Sequence, residues 1–220
     1  MTKNPFRLLL TRISEANPGF KTNTRHHLAY QIHDGLVLSG FLLDLSGLER
    51  GTFYLTAFAQ PLYVLQDYLF LTYGKRLERS KRWKINDQNE TEVAGRVLEA
   101  VRSEGCSFLE VVNSVKKLAE LAERKPGTRE NPFQWHPDDP NVIEARAYSW
   151  MLVENERKAK RDLLYLTQIY VPKYDWEKEL QGRAVTVLRA LEQGTEIGQA
   201  LLRDWAKQSA AGIGLTSSLE

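Results

Sequence analysis

The hydrophobic period of this chain changes near residue 88, and that change constrains the order of its parts. Before it, apolar residues mostly recur at every second position, between turn dipeptides. After it, they recur every three to four positions almost to the C-terminus. A period of two belongs to strands with one face inward, and a period near 3.6 to helices with one apolar stripe. The pattern predicts an α+β protein: an N-terminal helix, an antiparallel β-meander of about four strands, then a C-terminal stack of about six helices.

Asn4-Pro5 places a capping side chain before proline at the first helical position, and Phe6, Leu9, Leu10 and Ile13 then fall on one stripe. That helix ends near Asn17-Pro18-Gly19. Leu28, Tyr30 and Ile32 alternate with His27, Ala29 and Gln31, and Asp34-Gly35 is a pair that favours a tight hairpin. The returning strand spans Leu36 to Leu45, a third Thr52 to Gln60 and a fourth Tyr68 to Tyr73, with Pro61 breaking the connection. Strands two and three are apolar on both faces, so the chain's own helices are expected to cover both sides.

In the second part, the stripe Val93, Val97, Leu98 and Val101 is expected to stop at Gly105. Ser107 with Glu110 reads as a capping box opening the next helix, which runs through Leu121. Asp139-Pro140 caps another, Asn155 marks a break, and helices over Asp175–Gln193 and Thr195–Ala210 are split by Gly194. This divides the chain into an α+β domain over 1–125, a proline-rich loop over 126–140, a helical extension over 141–211 and a frayed tail over 212–220.

Composition narrows the class. With 42% apolar and 26% charged residues over 220 positions, the chain has enough apolar material for a buried core, which excludes wholesale disorder. No apolar run approaches the roughly 20 residues of a membrane span, and Leu8-Leu9-Leu10 is too short for a signal peptide. A single cysteine, Cys106, leaves no intrachain disulfide and no Cys-rich zinc site. These features predict a cytoplasmic protein with no membrane partner. The net charge of +2 conceals an asymmetry: 12 Lys/Arg against 7 Asp/Glu in residues 1–88, and 18 against 21 in residues 89–220.

The densest charge feature is Lys75, Arg76, Arg79, Lys81, Arg82 and Lys84, with Trp83 among them. Clustered cations neutralise phosphates and an aromatic ring stacks on an unpaired base, so this segment is a candidate nucleic-acid site. The plainer reading is a solvated connector with Trp83 in the core. A second run, Arg157, Lys158, Lys160 and Arg161, is flanked by Glu154, Glu156 and Asp162. His26, His27 and His33 read as surface hairpin histidines, since residues six apart on an extended chain lie about 20 Å apart. His136, Asp138 and Asp139 lie in the proline-rich loop, where the aspartates are read as helix caps. Cys106 has no histidine beside it in sequence and reads as a half-buried structural thiol. No phosphate-binding glycine loop or Gly-x-Ser-x-Gly elbow occurs, so no cofactor, metal or catalytic residue is assigned. An enzyme whose site converges from distant segments stays open.

The runs Gly35–Phe41, Phe53–Leu55, Gln60–Val64 and Tyr73–Leu77, with a late tryptophan in Leu201–Trp205, resemble small bacterial α+β domains of uncharacterised function. Such domains occur in multi-protein systems, including defence and toxin-immunity loci. The resemblance implies a component of such a system, and no catalytic residue comes with it. Together these readings favour a non-enzymatic protein that binds another protein. Its expected contact surfaces are the helical tail and an aromatic sheet face of Tyr30, Tyr54, Phe58 and Tyr63, because large aromatics dominate interface energetics. Nucleic-acid binding through residues 75–84 is the alternative.

Overall fold

A computed structural model describes residues 5–47, 49–71, 73–86, 88–124, 136 and 138–215, with the Ser80 side chain left aside. The order read from the hydrophobic period is observed: a helix, an antiparallel sheet, then a run of helices. Helix α1 (Pro5–Ala16) buries Leu9, Leu10 and Ile13, the stripe its spacing predicts. Six short strands follow among the described residues: β1 (Lys21–Asn23), β2 (Leu28–His33), β3 (Val37–Leu45), β4 (Thr52–Pro61), β5 (Tyr73–Arg76) and β6 (Arg82–Lys84). They form one sheet in the order β1-β2-β3-β4-β5, with β6 also on β4. At the hairpin tip Asp34 and Gly35 both take positive φ, 52° and 68°, as the mirror-image turn between twisted strands requires.

The meander has six strands where about four were expected, and the difference lies at its edges. β1 is three polar residues, too short to show alternation. The fourth strand was expected over Tyr68–Tyr73, but among the described residues of that span only Tyr73 is in a strand; pairing runs on into the charged residues. An edge strand has one side in water and needs no apolar alternation, so hydrophobic period does not report it.

The helical half corrects two stop signals. Helix α2 (Glu90–Ala100) does not end at Gly105: it passes through a π-helical turn, Val101–Gly105, into α3 (Cys106–Val112). Gly105 is there for packing, since a Cβ on it would lie 2.4 Å from Cε1 of Phe41. Ser107 therefore caps nothing. The break falls at Asn113–Ser114, where the Ser114 hydroxyl accepts from the Lys117 amide at 3.3 Å and opens α4 (Val115–Glu123).

The later caps stand where expected. The Asp139 carboxylate accepts from the Asn141 amide (2.9 Å) ahead of α5 (Pro140–Leu152), and Asn155 accepts from Lys158 (3.3 Å) ahead of α6 (Glu156–Leu164). A second π turn, Tyr165–Ile169, leads to α7 (Asp175–Gln193), which Gly194 separates from α8 (Thr195–Gly212). The tail expected to fray from residue 212 is instead closed as far as it is described: Ile213 and Leu215 are buried. Gly214 at φ 80° lets the Leu215 amide reach the Ala210 carbonyl (2.7 Å), a Schellman closure of α8. Residues 216–220, and most of the proline-rich loop, lie outside the described residues.

The chain divides into two compact units. Unit 1 comprises residues 1–33, 38–60 and 71–113, and unit 2 residues 34–37, 61–70 and 114–220. In unit 1, Phe6 meets Phe53 edge-on and Phe53 stacks on Trp83. In unit 2, Tyr148 packs edge-on against Trp205 and shares a buried carboxylate, Glu144, with Arg183.

Candidate functional site

Residues 75–84 form the sheet edge. β5 pairs Arg76 with Thr56 and β6 pairs Arg82 with Tyr54, while the Leu77 amide donates to Leu55 at 2.8 Å. The ladder is therefore one strand interrupted by an extruded loop, Glu78–Lys81, in which Glu78 and Arg79 both have positive φ. Four of the six cations are spoken for. Lys75 pairs with Glu104 (3.3 Å), Arg76 with Asp44 (3.1 Å), Lys81 with Glu78 (3.1 Å), and Lys84 with Glu49. Arg76 also lies over the Tyr54 ring at 4.2 Å. Arg79 and Arg82 are exposed.

Trp83 is buried, with Phe53 stacked on it and the charges of Lys81 and Arg96 over its ring at 4.5 and 5.5 Å. Its ring is not open for a base to stack on. A bulged, lysine- and arginine-rich edge is what keeps an exposed ladder from recruiting another strand, and that accounts for the composition of this segment. The second basic run is likewise paired: Lys158 and Arg161 both reach Glu123, at 2.7 and 3.3 Å.

The aromatic face expected to meet a partner is mostly core. Tyr30, Phe58 and Tyr63 are buried, and the Tyr63 hydroxyl is satisfied by Ser149 at 2.6 Å. A ring already covered by its own chain has no area left to offer. Tyr54, half-buried under Arg76, is the exception.

The histidines and the cysteine, unrelated in sequence, are partly brought together. His27 is half-buried edge-on to Phe6, and burial together with neighbouring His26 lowers its pKa. His33 turns elsewhere, into a cleft of about 160 Å³ in unit 1. The end of α1 contributes Asn17, and Phe20 follows it; the hairpin contributes Gln31, His33 and Ser39. Helix α3 contributes Cys106, Leu109 and Glu110 and its C-cap contributes Asn113, an i, i+3, i+4, i+7 stripe along the cleft.

His33 Nε2 and the buried Ser39 hydroxyl share a 2.8 Å hydrogen bond, and the Cys106 thiol donates to Asn17 Oδ1 at 3.4 Å. Burial pushes that thiol above its ordinary range, with Glu110 adding to the shift and Arg102 opposing it. A raised pKa favours the neutral thiol that this hydrogen bond to Asn17 requires. Because the helix runs unbroken into α3, Cys106 also has no helix terminus beside it to lower its pKa. The signal that sequence reading missed is the four-residue stripe from Cys106 to Asn113, whose polar members look like an ordinary solvent face.

Unit 2 presents a different feature. In the eight residues from the end of the π turn to the start of α7, Ile169 is 68% exposed, Val171 74%, Tyr174 61% and Trp176 45%. The backbone beneath them is held. Glu177, on α7, accepts from the amides of Lys173 and Tyr174 (the latter at 3.0 Å) and from the Tyr170 hydroxyl. Those hydrogen bonds, led by that of Tyr170, keep the Glu177 carboxyl below its ordinary range. Gln181 donates to the carbonyls of Leu166 (2.9 Å) and Tyr170 (3.2 Å). Exposed large apolar side chains on a pinned backbone are a preorganised surface, and preorganisation lowers the ordering cost of association.

Among the described residues no helix is long and apolar enough to cross a membrane. Compared with protein-family descriptions, curated proteins and solved structures, the chain matches none.

Proposed function

We propose that this chain is a non-enzymatic, protein-binding component of a bacterial multi-protein system, and that its contact surface is the segment Ile169–Trp176. The observation that carries this reading is the display of Ile169, Val171, Tyr174 and Trp176 in water on a backbone fixed by Glu177 and Gln181. Tyrosine and tryptophan are enriched among residues that dominate interface energies, and a loop held in one shape before contact loses little entropy on binding. The resemblance to small bacterial α+β domains supports the multi-protein setting. The nucleic-acid alternative is left with Arg79 and Arg82, since the other cations are paired and Trp83 is covered.

The test is a photo-crosslinking residue placed in the native host at Val171, with a second placed at Glu192 on the exposed face of α7 as control. A discrete protein adduct at position 171 and not at 192, lost when Trp176→Ala is added, is the expected result. No adduct at 171, or the same adducts at both positions, would overturn the assignment.

A further inference from the structure

The main chain of the contact segment narrows the kind of partner it fits, an inference that rests on the protein-binding reading of Ile169–Trp176. Tyr170, at the exit of the second π turn, has φ −68° and ψ 129°, close to the polyproline II values of about −75° and about 145°. The ring of Pro172 holds its own φ near about −65° and keeps Val171 before it in the extended region. Tyr174 is extended as well, at φ −115° and ψ 158°. Residues 170–173 belong to no helix or strand. Polyproline II repeats every three residues with a rise of about 3.1 Å each, which sets Val171 and Tyr174 on one edge, about 9 Å apart. Both side chains stand in water.

The hydrogen-bonding groups that the segment still offers decide between modes of recognition. Addition of a strand needs amides as well as carbonyls along the shared edge. Here Pro172 has no amide, and those of Lys173 and Tyr174 are turned to the Glu177 carboxylate. The carbonyls are another matter. That of Tyr170 is taken by Gln181, whereas those of Val171, Pro172 and Lys173 accept no hydrogen bond among the described residues.

A strip that hides its amides and shows carbonyls, a proline ring and two flanking side chains does not extend a sheet. It matches the way proline-containing segments dock in grooves walled by aromatic rings. We infer that the partner of this segment carries such a groove. Its aromatic walls take Val171-Pro172, tyrosine or tryptophan donors reach the exposed carbonyls, and a neighbouring recess takes the Tyr174 ring. Glu177 and Gln181 hold the strip in this shape before contact, which lowers the ordering cost of docking.

The test uses the full-length protein in its native host, with the photo-crosslinking residue at Ile169, just outside the strip. A discrete adduct there is expected to fall about fivefold in Pro172→Ala, the scale of one proline's fixed backbone, and to be lost in Tyr174→Ala. Val171→Pro should keep or raise the adduct. The Val171 amide makes no hydrogen bond among the described residues, and Tyr170 already has the conformation that a following proline demands. An adduct undiminished in Pro172→Ala, or lost in Val171→Pro, would sink the groove and leave the protein-binding reading standing. No adduct at 169 in the chain with no other change would remove both. Because the two proline variants are expected to move the yield differently, a general loss of folding cannot produce the pattern.

Discussion

The sheet edge of unit 1 and the helical interior of unit 2 both hold ion pairs, and they use them oppositely. At the edge, Lys75–Glu104 and Arg76–Asp44 stand in water, with side chains 36–47% exposed. Pairs of this kind contribute roughly 0–1 kcal/mol and weaken with salt. In unit 2 the Glu144 carboxylate is wholly buried, takes a two-pronged hydrogen bond from Arg183 at 2.8 and 2.9 Å, and accepts from the Tyr148 hydroxyl at 3.0 Å. Burial pushes that carboxyl above its ordinary range, against the pull of Arg183 and Tyr148. Asp162 is similarly enclosed, gripped by Arg146 at 2.7 and 3.1 Å. Charge that is conspicuous in the sequence is thus cheap to unpair here, and charge that is scattered singly is costly to unpair, because it leaves a buried partner uncompensated. Exposure, not local density, decides the energy.

The largest effect that would sharpen this contrast is at Arg183. Arg183→Met strands a buried carboxylate, and chemical denaturation should show a loss of about 3–5 kcal/mol. A loss under about 1 kcal/mol would erase the difference between the two regions. Next is the packing of the π turn in unit 1: Gly105→Ala drives a methyl group to 2.4 Å from Phe41 and should cost about 1–3 kcal/mol by the same measurement.

Smaller and of opposite sign is Glu154, which ends α5 with φ at 62° while the Asn155 amide closes back on Trp150 at 2.8 Å. Glycine tolerates that conformation without a Cβ clash, so Glu154→Gly should stabilise by about 1 kcal/mol. At the edge, replacing Lys75 or Arg76 by Gln should change stability by less than about 1 kcal/mol each. Replacing both and deleting Glu78–Lys81 should instead raise self-association, visible as concentration-dependent sedimentation, because the ladder is then unguarded.

The last effect is local. Glu177 has a carboxyl held below its ordinary range, so its hydrogen bonds to the display segment are fully present above the usual glutamate pKa and are lost as pH falls through the lowered one. The Lys173 and Tyr174 amide shifts should titrate together with a midpoint below 4.5, and Glu177→Gln should abolish the titration. A midpoint at or above the ordinary value would mean that the segment is not held from α7.

Much of the fold is legible without coordinates, for a local reason. The stripe of α1, the Asp34-Gly35 turn, the Asp139-Pro140 and Asn155 caps and the limits of α7 each depend on residues within a few positions of one another. Side-chain period and capping chemistry are written at that range. What three-dimensional packing alone decided depends on partners far apart in the chain. Gly105 reads as a stop until Phe41 is seen against it, and the basic run by itself gives no sign that Glu104, Asp44 and Glu49 pair with it. Tyr30, Phe58 and Tyr63 are indistinguishable from Tyr174 and Trp176 by residue type, yet the first three are core and the last two stand in water. The cleft joins Asn17, His33, Ser39 and Glu110 from separate segments, so no spacing announces it. Which side chains are covered, and by what, is set when distant elements close on one another, and a pattern confined to near neighbours carries no record of that closure.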